Sequence, residues 1–439
     1  MKKKILFIQS TPYDHNHNLV KKGKLYFVGL TFPLLAALTP EHWDVEICLE
    51  TIENVPFDTD AAVIGISGMG HAIIRSIDLA KEFTKRGKIV VIGGYMASLM
   101  PEEAKKYCDA VVIGDAENVW PEVLSDIENN CLKPFYKKEI SSLDTPLPKY
   151  ELIINKNIGD FLPVQAGRGC PHSCSFCSVS CLYKNKYYQR NIEDVIRDLK
   201  YIKQLGFKKF LLLDDNIVSN PKYMFELCEE IQRLDMKWLS QCSINIAKND
   251  KLLSKVAQSG CVALSFGLES ISQKSLESMD KAWEKPEEYS ILLKKVLDAG
   301  IDLSTEMVVG ADGDSKDSIR ATAKFIEDNN IVVPRFYILT PIPGTKFFDE
   351  MSRQGRIDNT DIFTYNGSEA VHVPLNMTPE ELTTEYWKLY NAVFRVKSII
   401  KRTFMNKNFF RRPMVYIFYF FINLYYKRQI KQRITPNII

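Results

Sequence analysis

Cys170, Cys174 and Cys177 lie within Arg168-Gly169-Cys170-Pro171-His172-Ser173-Cys174-Ser175-Phe176-Cys177, spaced Cys-x3-Cys-x2-Cys. Thiolates are the usual ligands of an iron–sulfur cube, which takes four of them. Three thiolates from one tight loop leave one iron open, and an open position separates a reactive metal centre from a structural one. Zinc is the alternative occupant, with Cys181 or His172 completing its ligand set. Chance crowding of three cysteines is the remaining reading. Under the cluster reading Cys181 is a bystander. Cys48, Cys108, Cys131, Cys228, Cys242 and Cys261 are scattered singly, mostly in apolar segments, and read as small buried hydrophobes.

The elements that must position this loop come from an alternation of β-type and amphipathic segments. Strand candidates are 162–166, 209–214, 238–244, 262–267, 302–309 and 333–339. Helices are expected at 192–205, 222–234, 250–258, 286–299 and 315–327. Six βα units in succession predict a partial or complete parallel barrel over 162–345, with its site at the carboxyl ends of the strands. The cysteine segment follows the first of those strands directly.

Loop and placement together resemble the signature of the radical S-adenosylmethionine (SAM) superfamily. The resemblance implies a [4Fe–4S] cluster on Cys170, Cys174 and Cys177, with SAM bound to the open iron through its amino and carboxylate groups. One electron from an external reductant, a flavodoxin or ferredoxin, then cleaves SAM to methionine and a 5′-deoxyadenosyl radical that takes hydrogen from substrate. Further SAM contacts follow from the same resemblance. Asp214 and Asp215, in Asp214-Asp215-Asn216, stand where relatives meet the SAM amino group; the plainer reading is a helix cap by Asn216 or Ser219. Gly267, Glu269 and Ser270, in Gly267-Leu268-Glu269-Ser270, match the ribose-contacting element, against a plain surface turn. Gly310, closing Met307-Val308-Val309-Gly310, and Phe176 match positions beside the adenine.

Ahead of the barrel, 1–125 carries strand candidates at 4–9, 44–50, 61–67, 88–93 and 110–114, with helix-length stretches such as 71–86 and 101–107. Near-continuous apolar strands alternating with helices predict a doubly wound, Rossmann-like parallel sheet. Three of its strands end in Ser67-Gly68-Met69-Gly70, Gly93-Gly94-Tyr95 and Gly114-Asp115, where such folds let ligands approach the backbone. The alternative is that these glycines only make tight turns. Residues 126–161 carry Pro134, Pro146 and Pro148 and read as a connector.

A doubly wound domain before this barrel resembles the cobalamin (B12)-binding radical SAM enzymes. Carriers of the resemblance are Val90-Val91-Ile92-Gly93-Gly94, Leu99-Met100-Pro101-Glu102-Glu103-Ala104, residues 109–117 with Trp120-Pro121, and Pro341-Ile342-Pro343-Gly344-Thr345. It implies cobalamin at Ser67, Gly68, Gly93, Gly94, Gly114 and Glu117, and methyl transfer to an unactivated carbon. A cyclase, oxidase or coupling enzyme without methyl transfer, and a cobalamin- or cluster-based sensor, are the competing functions. None of His15, His17, His42, His71, His172 and His372 sits in the Asp-x-His-x-x-Gly pattern that ligates cobalt in the mutases. Tyr95 stands where many relatives have His.

Charge divides the chain unevenly. After Glu385 there is no acidic residue but twelve Lys and Arg, whereas the preceding body has 45 basic and 54 acidic residues. The extension 346–439 is expected to be helical, and its run 414–422, continued by Leu424-Tyr425-Tyr426, is apolar and aromatic between Arg411-Arg412 and Lys427-Arg428. Thirteen residues of helix reach about 20 Å, short of a bilayer core of roughly 30 Å. Either 411–428 lies on a membrane surface, making a lipid or isoprenoid the favoured small-molecule substrate, or it packs on the barrel with its basic residues as a solvated rim. No nucleic-acid-binding motif accompanies the basic tail. Without a signal-peptide core after Met1-Lys2-Lys3-Lys4, a cytoplasmic protein is expected, peripheral at the inner membrane face if the surface reading holds.

Overall fold

A computed structural model describes residues 3–14, 16–361 and 364–436. It divides into two compact units, 1–164 with 188–207, and 165–187 with 208–438.

The first unit is built on a six-stranded sheet. From edge to edge it runs Trp43–Leu49, Lys3–Gln9, Val63–Ser67, Ile89–Gly93, Ala110–Ile113 and Phe135–Lys137, all parallel. Ile5, Leu6, Phe7, Ile8, Val90 and Ile92 have no exposed surface. That two-sided burial is why these strands read as continuous apolar runs. Helix Ile73–Lys85 buries Ile73, Ile77, Ala80 and Phe83 along one face, as its 3.6-residue spacing demands. The winding direction reverses at Lys3–Gln9, so the switch point of this doubly wound sheet lies between Lys3–Gln9 and Val63–Ser67. Ligands bind at such points in these folds.

The proline-bearing stretch 126–161 is more than a connector. It contributes Phe135–Lys137 to the sheet and Ile158–Val164, which pairs with Leu25–Phe27. The two three-residue strands escape a periodicity reading, as does helix Thr31–Leu38, whose buried Phe32, Pro33, Leu34, Leu35 and Ala36 form an unbroken apolar run.

In the second unit Lys209–Leu212, Lys237–Cys242, Cys261–Glu269, Asp302–Val309 and Val333–Ile338 pair in chain order, all parallel. These five parallel strands, each followed by a helix, make up the partial barrel of the second unit. The polar burst after Lys209–Leu212 does not cap the next helix. Asn220 does, accepting from the Tyr223 N–H at 3.2 Å. Phe336, on the last strand, has its N–H bonded to the Tyr390 hydroxyl and its carbonyl to Tyr386, which protects an otherwise open edge.

Helices Lys346–Arg353, Pro379–Val393, Val396–Phe404 and Pro413–Lys431 lie in the extension. The last, at 19 residues, is longer than the apolar run because Lys427–Lys431 continues it. Among the described residues no helix is long and apolar enough to cross a membrane. One face is packed: Tyr416, Asn423, Tyr426 and Ile430 are buried, and Tyr416 and Tyr419 hydroxyls donate to Asp302 at 2.6 and 3.1 Å. The opposite face exposes Met414, Phe418, Phe421 and Tyr425, with Phe410 nearby. The expectation of packing therefore holds for one face of this helix, and the other face is exposed. Of the flanking basic residues Arg411 and Arg428 are exposed but Arg412 is not simply a solvated rim, and further back in the extension another arginine is enclosed. Arg402 is fully buried, donating to the carbonyls of Ile331, Val332 and Val393, and Arg412 pairs with Asp302 at 2.7 Å.

Candidate active site

The cysteine loop begins where the strand Gly167–Gly169 ends. Gly169 has φ +86°, and a Cβ there would fall 2.2 Å from the Lys186 carbonyl oxygen, so only glycine fits immediately before Cys170. Two backbone bonds pin the loop's middle: Ser175 N–H donates to the Met279 carbonyl at 3.1 Å, and its carbonyl accepts from Phe347 N–H at 2.9 Å. His172 stacks on Trp283, with ring centroids 3.8 Å apart and planes 9° from parallel.

Cys170, Cys174 and Cys177 are half-buried free thiols. Burial pushes all three up, Cys174 to about 12, although Lys281 works against the shift at Cys174. Metal ligation by cysteine takes the thiolate, so a cluster held here would have to displace the thiol protons against that burial. Their soft donor chemistry, half-burial and pinned loop fit a [4Fe–4S] cluster. Among the described residues no three His, Cys, Asp or Glu side chains are gathered as for a single metal ion. Cys181 Sγ lies 2.8 Å from the Gly344 carbonyl oxygen. Of the scattered cysteines five are buried as expected, but Cys131 is exposed, its thiol 3.6 Å from Asp126 Oδ1.

Asp214 and Asp215 bind the backbone that leads into the loop. Asp214 Oδ1 accepts from Ala166 N–H at 2.8 Å and Asp215 Oδ2 from Gly169 N–H at 2.7 Å. Asp214 is buried, and burial pushes its carboxyl up to about 7 against the N–H groups of Gly167 and Ala166. Asn216 Oδ1 accepts from Ser243 N–H at 3.0 Å, tying this strand end to the next.

Glu269 closes Cys261–Glu269 in a left-handed conformation, φ +60°, where the register against Asp302–Val309 slips between Gly267 and Glu269. For a non-glycine residue that strain is on the order of 1–3 kcal/mol, and it persists only where the surroundings enforce it. Its carboxylate takes a bond from Lys281 Nζ at 3.0 Å. Ser270 is buried beside it, its N–H bonded to the Leu268 carbonyl at 2.8 Å. Gly310 has φ +97°, and a Cβ there would lie 2.5 Å from Leu382 Cδ2, so that side is filled by the extension. Phe176 is half-buried in the loop.

The glycine-rich lip of the first unit divides into filled and open positions. A Cβ on Gly68 would meet Ser10 Oγ at 2.2 Å and Ala72 Cβ at 2.8 Å, and one on Gly94 would meet Ser67 Oγ at 2.7 Å. Those two glycines serve internal packing. Gly114, at φ +80°, has nothing within 4 Å, and Gly93 meets only ordinary contact with Val112. Open backbone at two adjacent strand ends fits a large flat ligand. Glu117 follows on the turn Ala116–Asn118, half-buried.

Two features escaped the sequence reading. One is Lys281, in a polar stretch that looks like surface. The other is the ion pair of Glu306 with Arg335, cross-strand partners on the face opposite buried Leu303, Thr305 and Met307. Alternation of Asp302, Ser304 and Glu306 was the available signal for it.

Comparison with known proteins agrees with this geometry. The family models "Radical SAM superfamily" and "B12 binding domain" match residues 164–326 and 34–124. Bacteriochlorophyllide d C-12(1)-methyltransferase of Chlorobaculum tepidum is 30% identical over 91% of this chain and 89% of its own length. Bacteriochlorophyllide d C-8(2)-methyltransferase of the same organism is 29% identical over 85% and 87%. An anaerobic magnesium-protoporphyrin IX monomethyl ester cyclase of Rubrivivax gelatinosus is 25% identical over 80% and 67%. In fold, the chain is similar to the radical SAM methyltransferase TsrM of Kitasatospora setae, solved with cobalamin and a [4Fe–4S] cluster, with TM-score 0.66, 16% identity, and 89% and 85% coverage. The chain belongs to the radical SAM superfamily, in the branch that carries a B12-binding domain ahead of the barrel.

Proposed function

We propose that this enzyme methylates an unactivated carbon of a small molecule of the lipid or isoprenoid class, with Cys170, Cys174 and Cys177 holding a [4Fe–4S] cluster and the lip at Ser67, Gly93, Gly114 and Glu117 receiving cobalamin. When bound, these groups and SAM supply a 5′-deoxyadenosyl radical and a transferable methyl group. The chain's part is to bind, orient and keep water out. The three thiols would hold the cluster, while Asp214 and Asp215 hold the backbone entering the loop. Glu269 offers a carboxylate to the SAM ribose hydroxyls, as acidic residues do in dinucleotide folds. An external flavodoxin or ferredoxin supplies the electron. An unactivated carbon has no acidic proton or leaving group, so acid–base residues alone could not methylate it.

The observation that carries this reading is the pinned three-thiol loop, in a chain that the methyltransferase relatives match over most of its length. A cyclase without methyl transfer is the second reading, favoured by the porphyrin cyclase among the relatives. Comparing extracts of a deletion strain with its parent by mass spectrometry separates the two. Methylation predicts parent compounds one CH2 unit heavier than those accumulating in the mutant; accumulation of compounds differing only by hydrogen or oxygen would favour the cyclase.

The substrate class rests on the last helix. Its exposed Met414, Phe418, Phe421 and Tyr425, flanked by exposed Arg411 and Arg428, suit the boundary of an anionic membrane, where lipids and isoprenoids dissolve. Full-length protein should float with liposomes of about 30% anionic lipid, a composition giving substantial surface potential. The Phe418→Ser/Phe421→Ser variant should stay behind. Equal flotation of the two would remove both the surface and the lipid class, leaving the chemistry untouched.

A further inference from the structure

Lys281 has 5% of its surface exposed. Its ammonium donates to the Gly267 carbonyl and to Glu269 Oε1 at 3.0 Å, with Glu284 Oε1 at 3.6 Å. Glu284 is in turn held by the Tyr289 hydroxyl, 2.6 Å from its Oε2 and 3.1 Å from the Leu268 carbonyl oxygen. Both carbonyls of the slipped segment, Gly267 and Leu268, thus have partners from 281–289. Gly267 leaves room for the carboxylate to fold back, since a Cβ there would sit 2.6 Å from Glu269 Oε1.

The same short segment grips the cysteine loop. Met279 accepts the Ser175 N–H, and Trp283 stacks on His172 with the Lys281 ammonium 5.5 Å from the Trp283 ring centre. Stability alone does not call for this arrangement. A buried lysine between carboxylates is on balance no more stabilising than apolar packing of the same volume. What it supplies is geometry: one side chain fixes a left-handed glutamate at a strand end, from a segment bonded to the loop that carries the thiols.

We propose that Lys281 is a positioning residue for SAM binding. It holds the Glu269 carboxylate in its slipped strand end, and residues 279–284 keep that end in register with the cysteine loop. The proposal rests on the reading above in which Glu269 faces SAM.

The test uses full-length protein reconstituted anaerobically with iron and sulfide. Iron content, SAM affinity by equilibrium dialysis, and the EPR change of the reduced cluster on SAM addition are measured for Lys281→Met, Glu269→Gln and the double variant. Outer partners of this kind are typically worth about 10–100-fold in affinity. Lys281→Met should keep its iron, weaken SAM by a factor in that range, and lose the EPR change at SAM concentrations that saturate the unaltered protein. In the Glu269→Gln background it should add little, because it acts through that carboxylate. If Lys281→Met does not fold, Lys281→Gln, whose amide still donates to the Gly267 carbonyl, carries the same comparison. Unchanged SAM affinity in the Lys281 variant beside a weakened Glu269→Gln overturns the proposal alone. Unchanged affinity in Glu269→Gln overturns it together with the reading of Glu269.

Discussion

The strand ends of the two units are built in opposite ways. In the first unit they end in glycines: Gly114 is open and Gly93 meets only ordinary contact with Val112, while Gly68 and Gly94 are filled from within by Ser10, Ala72 and Ser67. In the second they end in charged side chains already held by the protein, Asp214 and Asp215 by backbone N–H groups and Glu269 by Lys281. A broad, rigid ligand can be seated on main chain with few directed contacts. A small one that must present one bond for cleavage needs directed contacts set in advance. Under the proposed function, this difference suits glycines in the first unit and buried charge in the second.

The contrast can be broken most sharply at Gly169. Gly169→Ala would drive a Cβ to 2.2 Å from the Lys186 carbonyl oxygen, a backbone atom that cannot swing away. Reconstituted iron should fall to less than half that of the unaltered protein, and near-normal iron would show the loop is not constrained there. Gly68→Ala tests a filled position of the first unit. Its clash with Ser10 and Ala72 should cost about 1–3 kcal/mol in chemical denaturation, the usual range for overpacking, and no loss would place Gly68 among the open positions.

Asp214 makes a pH-dependent prediction. Its folded pKa, about 7, lies above the ordinary 3.8, so the native state holds that proton more readily than the unfolded chain. Its contribution is present below the unfolded pKa and is lost as pH rises through the folded one. Asp214→Asn should therefore lose less stability than the unaltered protein between about pH 4 and 7, a window set by the two pKa values. Parallel denaturation curves across that window would show that Asp214 does not titrate as described.

Gly114→Leu should have the smallest effect on folding. With no atom within 4 Å, its cost is the left-handed conformation, about 1–2 kcal/mol. Retention of hydroxocobalamin after desalting should nevertheless fall at least several-fold. Full retention would move the corrin elsewhere.

Much of this architecture could be read from the chain because the first sheet is parallel and buried on two faces, and the second alternates buried and less buried positions along parallel strands. Runs such as Ile5-Leu6-Phe7-Ile8 and Val90-Val91-Ile92 announce themselves, and so does a loop with three spaced cysteines. Other parts are set by long-range contacts that local pattern does not carry. Phe135–Lys137 is a strand only because Ala110–Ile113 offers it an edge. Arg402 sits in a basic segment typical of surface, yet its guanidinium bonds three carbonyls inside the fold. Lys281, between Asp280 and Ala282, looks solvated until the Gly267–Glu269 strand end closes over it. Glycine type alone could not distinguish Gly68 from Gly114, because the difference lies in what stands opposite each.

The central claim is that the three thiols of one loop hold the cluster that cleaves SAM. Its most direct test is iron content together with 5′-deoxyadenosine release under reductant, for Cys170→Ala, Cys174→Ala, Cys177→Ala and Cys181→Ala. Each of the first three should abolish SAM cleavage, because a cube with one open iron cannot spare a thiolate, and Cys181→Ala should remain close to the unaltered protein. Loss of the cluster in Cys181→Ala with retention in Cys170→Ala would contradict the assignment.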